Sequence, residues 1–111
     1  MINKKEFLEK YPDIEAFKAE HPIGQIFRYY DRDYWEIRNY MSDEYPNGEK
    51  FDLVILRTFV RYKEGKEWIR HWSYKAQELY DFFTVYDFCK REYGKEFTKK
   101  EWEEHDNERR D

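Results

Sequence analysis

The sequence predicts an α+β fold, with a four-stranded antiparallel meander sheet, two short N-terminal helices and two C-terminal helices packed on the sheet. Three observations favour it: helix-capping patterns close to the N-terminus, two strand-forming segments joined through Gly65, and a helical stripe of large apolar residues between residues 75 and 94. A chain of 111 residues suffices for one hydrophobic core, which buries about 65% of the surface of the unfolded chain. We therefore expect a single small domain over residues 1–111.

Two short helices are predicted at the N-terminus. Asn3 is suited to cap a helix that begins at Lys4, and Glu6 is placed to complete the reciprocal pair of capping hydrogen bonds. Pro12 cannot occupy a helix interior, but it suits the first turn of a second helix. His21 and Pro22 end that second helix. The pattern predicts two helices that meet at a bend.

Residues 25–41 carry two conflicting periodicities. Their density of Tyr, Trp, Phe and Ile favours strands. A helix is the alternative, because apolar residues recur at helical spacing. These are Ile23, Phe27, Tyr30, Tyr34, Ile37 and Met41. We expect two strands with a turn near residues 31–33, followed by a loop over residues 44–50, where Pro, Asn and Gly occur together.

Residues 51–62 and 66–74 are the clearest strands, and the turn between them predicts their register. A two-residue loop would force Glu64 to a positive φ, whereas a three-residue loop requires this only of Gly65. The three-residue loop pairs Thr58 with Arg70 and Leu56 with Trp72. It places Arg57 and Arg61 on the opposite face from Arg70.

Two helices follow the sheet. Residues 75–94 place large apolar residues on one helical stripe, with Ser73 as the predicted cap and Gly94 as the end. The stripe comprises Leu79, Phe82, Phe83, Tyr86, Cys89 and Tyr93. Thr98 caps a last helix, with Glu101 as its capping-box partner. Residues 105–111 have no apolar anchor, so a frayed tail is predicted.

Composition limits the classes of function. The 21 Lys and Arg against 25 Asp and Glu give a net charge of -4, which does not favour wholesale adhesion to nucleic acid or anionic lipid. No apolar run approaches the roughly 20 residues of a membrane span, and the N-terminus lacks the apolar segment of a signal peptide. We expect a soluble cytoplasmic protein without a membrane partner.

No catalytic apparatus is apparent, so an enzyme is the least favoured class. Cys89 lies on the apolar stripe, and neither Ser42 nor Ser73 has the glycines of a nucleophile elbow. Glu101 and His105 alone have the helical spacing of shared metal ligands. We expect no catalytic residues, no bound metal and no cofactor.

Aromatic residues suggest a surface for another protein. The 11 Tyr and 4 Trp exceed what one small core requires, and Tyr, Trp and Arg are enriched at protein interfaces. The predicted partner-binding residues are Arg28, Tyr29, Tyr34, Trp35, Arg38 and Tyr40. They predict a non-catalytic protein-binding module, a small adaptor or inhibitor of the kind that phages and mobile elements encode to block a larger host machine. A nucleic-acid-handling enzyme is one such partner, and a homodimer is a further alternative.

Nucleic-acid binding by the sheet is the second hypothesis. Basic side chains alternating with aromatic ones are typical of surfaces that pair phosphates and stack bases. The residues concerned are Arg57, Arg61, Lys63 and Arg70. A third alternative is that the acidic C-terminal helices imitate a phosphate backbone, although lysines are interspersed among their carboxylates.

Overall fold

One antiparallel sheet organises the chain, which a computed structural model describes over residues 1–29, 33–61, 69–76 and 78–110. In order, the elements are α1 (Lys4–Lys10), α2 (Ile14–Glu20), β1 (Ile26–Arg28), β2 (Tyr34–Glu44), β3 (Lys50–Arg61), β4 (Ile69–Ala76), α3 (Leu79–Tyr93), β5 (Glu96–Phe97) and α4 (Lys99–Arg110). The strand order is β4-β3-β2-β1-β5. The predicted α+β fold and the meander from β1 to β4 are confirmed. The short β5, which the sequence analysis did not predict, adds a fifth strand beside β1.

The N-terminal capping pattern is confirmed. The N–H of Glu6 donates to Asn3 Oδ1 at 2.9 Å, and the Glu6 carboxylate accepts from the Asn3 N–H. The second helix is capped by Asp13, whose carboxylate accepts from the Ala16 N–H at 2.9 Å. Pro12 therefore precedes the cap and does not occupy the first turn, because the Asp13 side chain satisfies the orphan donor.

Residues 25–41 contain strands, and the helical alternative is wrong. Phe27 of β1 pairs with Trp35 of β2, and Ile37 pairs with Leu56 of β3. Alternation along the strands directs these side chains to one face, where they are buried. The predicted turn at residues 31–33 lies mostly outside the described residues, but the Tyr29 N–H donates to the Asp33 carbonyl at 2.9 Å beside it.

The hairpin of β3 and β4 has a register two residues away from the predicted one. Thr58 pairs with Trp72 instead of Arg70, and the described pairing ends at Arg61 and Ile69. The prediction assumed a three-residue loop, whereas the observed register leaves residues 62–68 between the paired segments. Because the shift is even, each described position of β3 and β4 keeps its predicted face of the sheet.

The two faces of the sheet are covered differently. On the inner face, α1, α2 and α3 enclose the main core. Its members are Phe7, Tyr11, Phe17, Phe27, Trp35, Ile37, Tyr40, Val54, Leu56, Leu79, Phe82, Phe83, Tyr86 and Cys89. On the outer face, Trp102 of α4 packs on Ile26 and Tyr34, with Phe97 beside them. This smaller cluster covers the β1 end of that face.

The start of α3 differs from the prediction. Because β4 continues to Ala76, Ser73 lies in the sheet opposite Arg57, and α3 begins only at Leu79. The predicted end is confirmed, since Gly94 adopts a left-handed φ of 64° and its N–H donates to the Lys90 carbonyl. No helix in the described ranges is long and apolar enough to cross a membrane.

The last helix extends beyond the predicted start of the tail. Thr98 caps it by accepting from the Glu101 N–H at 3.2 Å, as predicted. The helix then continues through His105 to Arg110. The His105 ring lies 5.0 Å from the Phe97 ring and 5.6 Å from the Trp102 ring between centroids. This ring gives the segment an aromatic contact at its start, and fraying of the tail over residues 105–111 stays a prediction.

Candidate functional site

Half of the predicted partner-binding residues belong to the interior. Tyr34 is 6% exposed and packs on Trp102, with ring centroids 4.5 Å apart. Trp35 is buried and stacks with Tyr29 at 4.3 Å. Tyr40 is buried, and its hydroxyl donates to the His21 carbonyl. These three rings are therefore used for packing and offer no surface to a partner in this conformation.

The other three predicted residues retain exposed surface. Arg28 and Tyr29 are half-buried at the end of β1. Arg38 is exposed and lies at the bulge where the register between β2 and β3 shifts after Ile37. The predicted partner-binding set is thus reduced to Arg28, Tyr29 and Arg38. The surplus of aromatic residues over core positions was overestimated, because three helices and both sheet faces require large rings.

The structure separates the predicted nucleic-acid residues. Arg57 lies on the outer face, where its Nε is 3.1 Å from Oε1 of Glu36, a carboxylate that is itself buried. Arg61 shares that face by its register position, whereas Arg70 pairs with Val60 on the inner face. Lys63 lies outside the described residues. The positive charge of Arg57 is therefore met by an internal carboxylate, and the four residues do not all share one face.

Cys89 and three tyrosines in the described part of the chain serve packing. Cys89 is 1% exposed, and burial raises the pKa of its thiol to about 11, so the reactive thiolate is scarce near neutral pH. Burial also raises the pKa of the Tyr11, Tyr40 and Tyr86 hydroxyls. Tyr86 donates to Glu96, and Tyr11 donates to Glu20 at 2.6 Å. Phenols held in this way are poor general bases.

His21 is enclosed by aromatic rings. It stacks on Phe17 at 4.2 Å and meets Tyr86 edge-on at 4.8 Å between ring centroids. Its Nδ1 lies 3.2 Å from the Phe17 carbonyl. Burial is the main cause that lowers the pKa of this imidazole. In the part of the chain that the structure describes, no three His, Cys, Asp or Glu side chains converge in a way that could hold a metal ion.

The acidic C-terminal helices carry internal ion pairs. Arg91 Nε lies 3.0 Å from Asp87 Oδ2, one turn away on α3. Lys90 Nζ lies 3.6 Å from Oε1 of Glu96 on β5. These contacts interrupt the carboxylate array that would imitate a phosphate backbone.

A two-stranded hairpin arm is the feature that the sequence analysis missed. Where β1 and β4 end, β2 and β3 continue together as residues 41–53, which we call the arm. All side chains of residues 41–50 are exposed. The loop prediction for residues 44–50 was close, since Glu44 ends β2 and Lys50 begins β3. The alternation of Met41, Phe51 and Leu53 with polar residues was the pattern that pointed to the arm.

The arm has a defined turn. The Tyr45 N–H donates to the Glu49 carbonyl at 2.8 Å, and the Gly48 N–H donates to the Tyr45 carbonyl at 2.9 Å. Gly48 has a φ of 88°, which a residue with a side chain rarely adopts. Tyr45 packs on Phe51, with ring centroids 4.3 Å apart. Local contacts therefore organise a segment that the core does not cover.

A cavity of about 240 Å³ lies between the arm and α1, and we call it the edge cavity. Leu8 of α1 and Tyr45 of the arm line it, and they are 54% and 41% exposed. Leu79 and Tyr80, at the start of α3, also line it. The edge cavity thus combines exposed apolar side chains with the end of the sheet.

A second cavity of about 300 Å³ lies between the loop before β1 and the start of α4. Ile23, Gly24, Phe97 and Lys99 line it, and Ile23 is 47% exposed. β5, whose residues Glu96 and Phe97 line it, occupies the position beside β1 and is the last strand of the sheet. Its walls combine the apolar side chains of Pro22, Ile23 and Phe97 with charged ones, and it does not adjoin the arm.

Comparisons of the chain with protein-family models, with curated proteins and with solved structures each find no match.

Proposed function

We propose that this chain is a non-catalytic protein-binding module, and that the arm with its edge cavity is the surface that contacts the partner. The observation that carries the proposal is the exposure of large apolar side chains around one organised recess. Leu8 and Tyr45 line it, and Met41, 49% exposed, lies on the arm. Exposed apolar groups clustered at a recess are characteristic of interaction sites.

The disposition of the reactive groups supports a non-catalytic role. His21 and Cys89 are buried, and the hydroxyls of Tyr11, Tyr40 and Tyr86 lie in or beside the core. An enzyme of this size would need an acid, base or nucleophile in a recess. Carboxylates do line the edge cavity, but Glu78 is paired with Lys4 and Asp52 accepts a hydrogen bond from Ser42, so these two groups make local contacts.

For the biological role, we propose a small adaptor or inhibitor of the kind that phages and mobile elements encode, acting by occupying a surface of a larger host machine. Small size and an acidic, aromatic-rich composition support this role. A nucleic-acid-handling enzyme is the form of partner that we favour, since a net charge of -4 suits a basic surface.

A pull-down from lysate of the source cells tests the proposal when it is combined with two matched variants. The arm variant replaces Leu8 and Tyr45 by Ser, which removes apolar contact area without entering the core. The control replaces Phe88 by Ser, because Phe88 is 50% exposed on α3 and does not line the edge cavity. We expect wild type and the Phe88 variant to retain one stoichiometric protein after nuclease treatment. The arm variant should lose it, with at least a tenfold weaker Kd.

Two results would contradict the proposal. One is equal capture by the arm variant and by wild type, which would place the contact elsewhere. The other is capture that disappears on nuclease digestion and weakens when Arg57 or Arg61 is changed to Ala. That result would favour the nucleic-acid hypothesis. Sedimentation of the purified chain alone identifies a homodimer, which would appear without any lysate protein.

A further inference from the structure

One edge of the arm has no neighbouring strand in the described part of the chain. The described pairing of β4 with β3 begins at Val54 and Ala76, where β4 ends, and α3 starts at Leu79. Lys50, Phe51 and Asp52 extend β3 beyond that point. We call these three residues the β3 edge. Over these three residues β3 is therefore paired with β2 on one side, and the described residues place no strand on its other side.

The hydrogen-bond pattern shows which backbone groups point toward the open position. Tyr45 and Glu49 form a hydrogen-bonded pair at the turn. Such pairs alternate along an antiparallel ladder, so Phe51 and Leu53 also direct their N–H and C=O groups toward β2. The N–H and C=O groups of Lys50 and Asp52 consequently point away from β2. They are a donor and acceptor set to which another strand can bind.

The edge cavity lies along this same edge. Lys50, Phe51 and Asp52 all line it, although the side chains of successive residues point to opposite faces of a strand. A cavity that touches three successive residues must follow the strand edge instead of one face. Leu8 of α1 and Tyr11, the C-cap of that helix, also line it, and so does Phe7, which belongs to the main core.

The opposite edge, along β2, is partly protected. The Tyr40 N–H donates to Asn39 Oδ1 at 3.0 Å, and the Glu44 N–H donates to Asp43 Oδ1 at 2.8 Å. Side chains of β2 thus occupy backbone donors that would otherwise attract a further strand, which is how proteins block unwanted pairing. On the β2 side, one donor within the arm, at Glu44, and one just before it, at Tyr40, are thus occupied, so docking is favoured at the β3 edge.

Charge indicates the composition of the occupant. The edge cavity is lined by four carboxylate residues and two ammonium residues: Asp13, Glu49, Asp52 and Glu78, with Lys4 and Lys50. Lys4 Nζ already lies 3.3 Å from Glu78 Oε2. The negative balance favours a segment in which Lys or Arg alternates with apolar side chains.

We propose that the β3 edge binds an extended, basic and apolar segment of a partner protein, which adds to the sheet as a strand in the position that β4 leaves open. This inference rests on the proposed protein-binding function and specifies its mode. Backbone hydrogen bonds to Lys50 and Asp52 hold the segment, and an apolar side chain enters the edge cavity beside Leu8. Strand addition of this kind obtains affinity from main-chain bonds and specificity from pockets for alternate side chains.

The test uses a displayed library of random 12-residue peptides, selected against the purified full chain. The decisive variant is Asp52→Pro, because proline removes an outward N–H and leaves the pairing with β2 intact. Lys50→Pro is a second variant at the start of the strand, where proline is best tolerated. Asp52→Asn is the matched control that keeps the backbone donor. Thermal unfolding of each variant verifies that it folds.

We expect selected peptides to alternate apolar residues with Lys or Arg. Asp52→Pro or Lys50→Pro should weaken their binding at least tenfold, and Asp52→Asn should weaken it by less than about threefold. Peptides that bind the folded proline variants as tightly as wild type would overturn strand addition. An empty selection would also overturn it, and the lysate pull-down then separates the two proposals. Capture of a protein that depends on Leu8 and Tyr45 would still support the protein-binding function. If no protein is captured, both the protein-binding function and strand addition are contradicted.

Discussion

The inner core and the arm use the same kinds of residues for opposite purposes. In the core, Phe17 is 0% exposed and meets Tyr11 edge-on at 5.1 Å and Phe82 edge-on at 6.1 Å. In the arm, Tyr45 packs on the Phe51 ring and keeps 41% of its surface exposed. The difference teaches that aromatic content alone does not identify a binding face. The position of a ring relative to the ends of β1 and β4 decides whether it packs or stays available.

The largest expected effect comes from removing a core ring. Phe17→Ala should lower the free energy of unfolding by about 3–5 kcal/mol, since it deletes a fully buried side chain and leaves a cavity. The matched change in the arm, Tyr45→Ala, should cost below about 1 kcal/mol. Urea unfolding of both variants measures the difference. Similar losses from both changes would mean that the arm belongs to the core.

A smaller loss of folding stability is expected from a substitution on the outer face of the sheet. Glu36→Ala leaves Arg57 without its buried carboxylate partner. The loss of stability would be severe if the remaining Arg57 charge were completely buried. The Arg57 side chain is 27% exposed, however, and can turn toward water. We expect a loss of about 2 kcal/mol. Chemical denaturation measures it, with Glu44→Ala on the exposed arm as a near-neutral control. An unchanged midpoint for Glu36→Ala would show that the pair contributes nothing.

Lowering the pH should weaken the core before it disturbs the arm. The pKa of His21 is lowered in the folded protein, mainly by burial, so folding favours the neutral ring. The stabilisation is fully present above the unfolded pKa of about 6.5. It is lost progressively as the pH falls below that value, until the folded pKa is passed. NMR titration of the His21 ring should give a pKa below about 6.5, and a value above it would contradict the enclosed ring.

The smallest expected effect is a gain in folding stability instead of a loss. Thr58 is 3% exposed, and its Oγ1 has no hydrogen-bond partner among the described residues. Thr58→Val removes this buried hydroxyl at nearly constant volume, so we expect a gain of about 1 kcal/mol. Thr58→Ser is the control, because it keeps the hydroxyl and removes a methyl group. Thermal unfolding should rank Val above Thr and Thr above Ser; a less stable Val variant would reveal a hidden hydrogen bond.

Local patterns predicted most of the fold. The Asn3 capping box, the strand over residues 51–61 and the end of α3 at Gly94 depend on neighbours in sequence, and all three are confirmed. The register between β3 and β4 was missed because it depends on the length of the connection. The start of α3 was missed because pairing with β3 keeps Ser73 in the sheet.

The candidate site was predictable only in part. Tyr34, Trp35 and Tyr40 have the composition of an interface, but tertiary contacts with Trp102, Tyr29 and His21 place them inside. For the β3 edge, by contrast, the sequence shows no sign of an interface. Lys50 and Asp52 are ordinary charged residues in the sequence, and their importance arises only because β4 pairs from Val54 onward. Where a strand ends relative to its neighbour is a property of the whole sheet.

Hydrogen exchange of individual backbone amides in the free protein tests most directly whether the arm presents one open edge. The amides of Phe51 and Leu53 point to β2 and should be protected, while those of Lys50 and Asp52 should exchange at least tenfold faster. Addition of a selected peptide should slow exchange at Lys50 and Asp52 and leave Phe51 unchanged. Equal protection of all four amides in the free protein would contradict the open edge, since the strand position beside β3 would then already be filled.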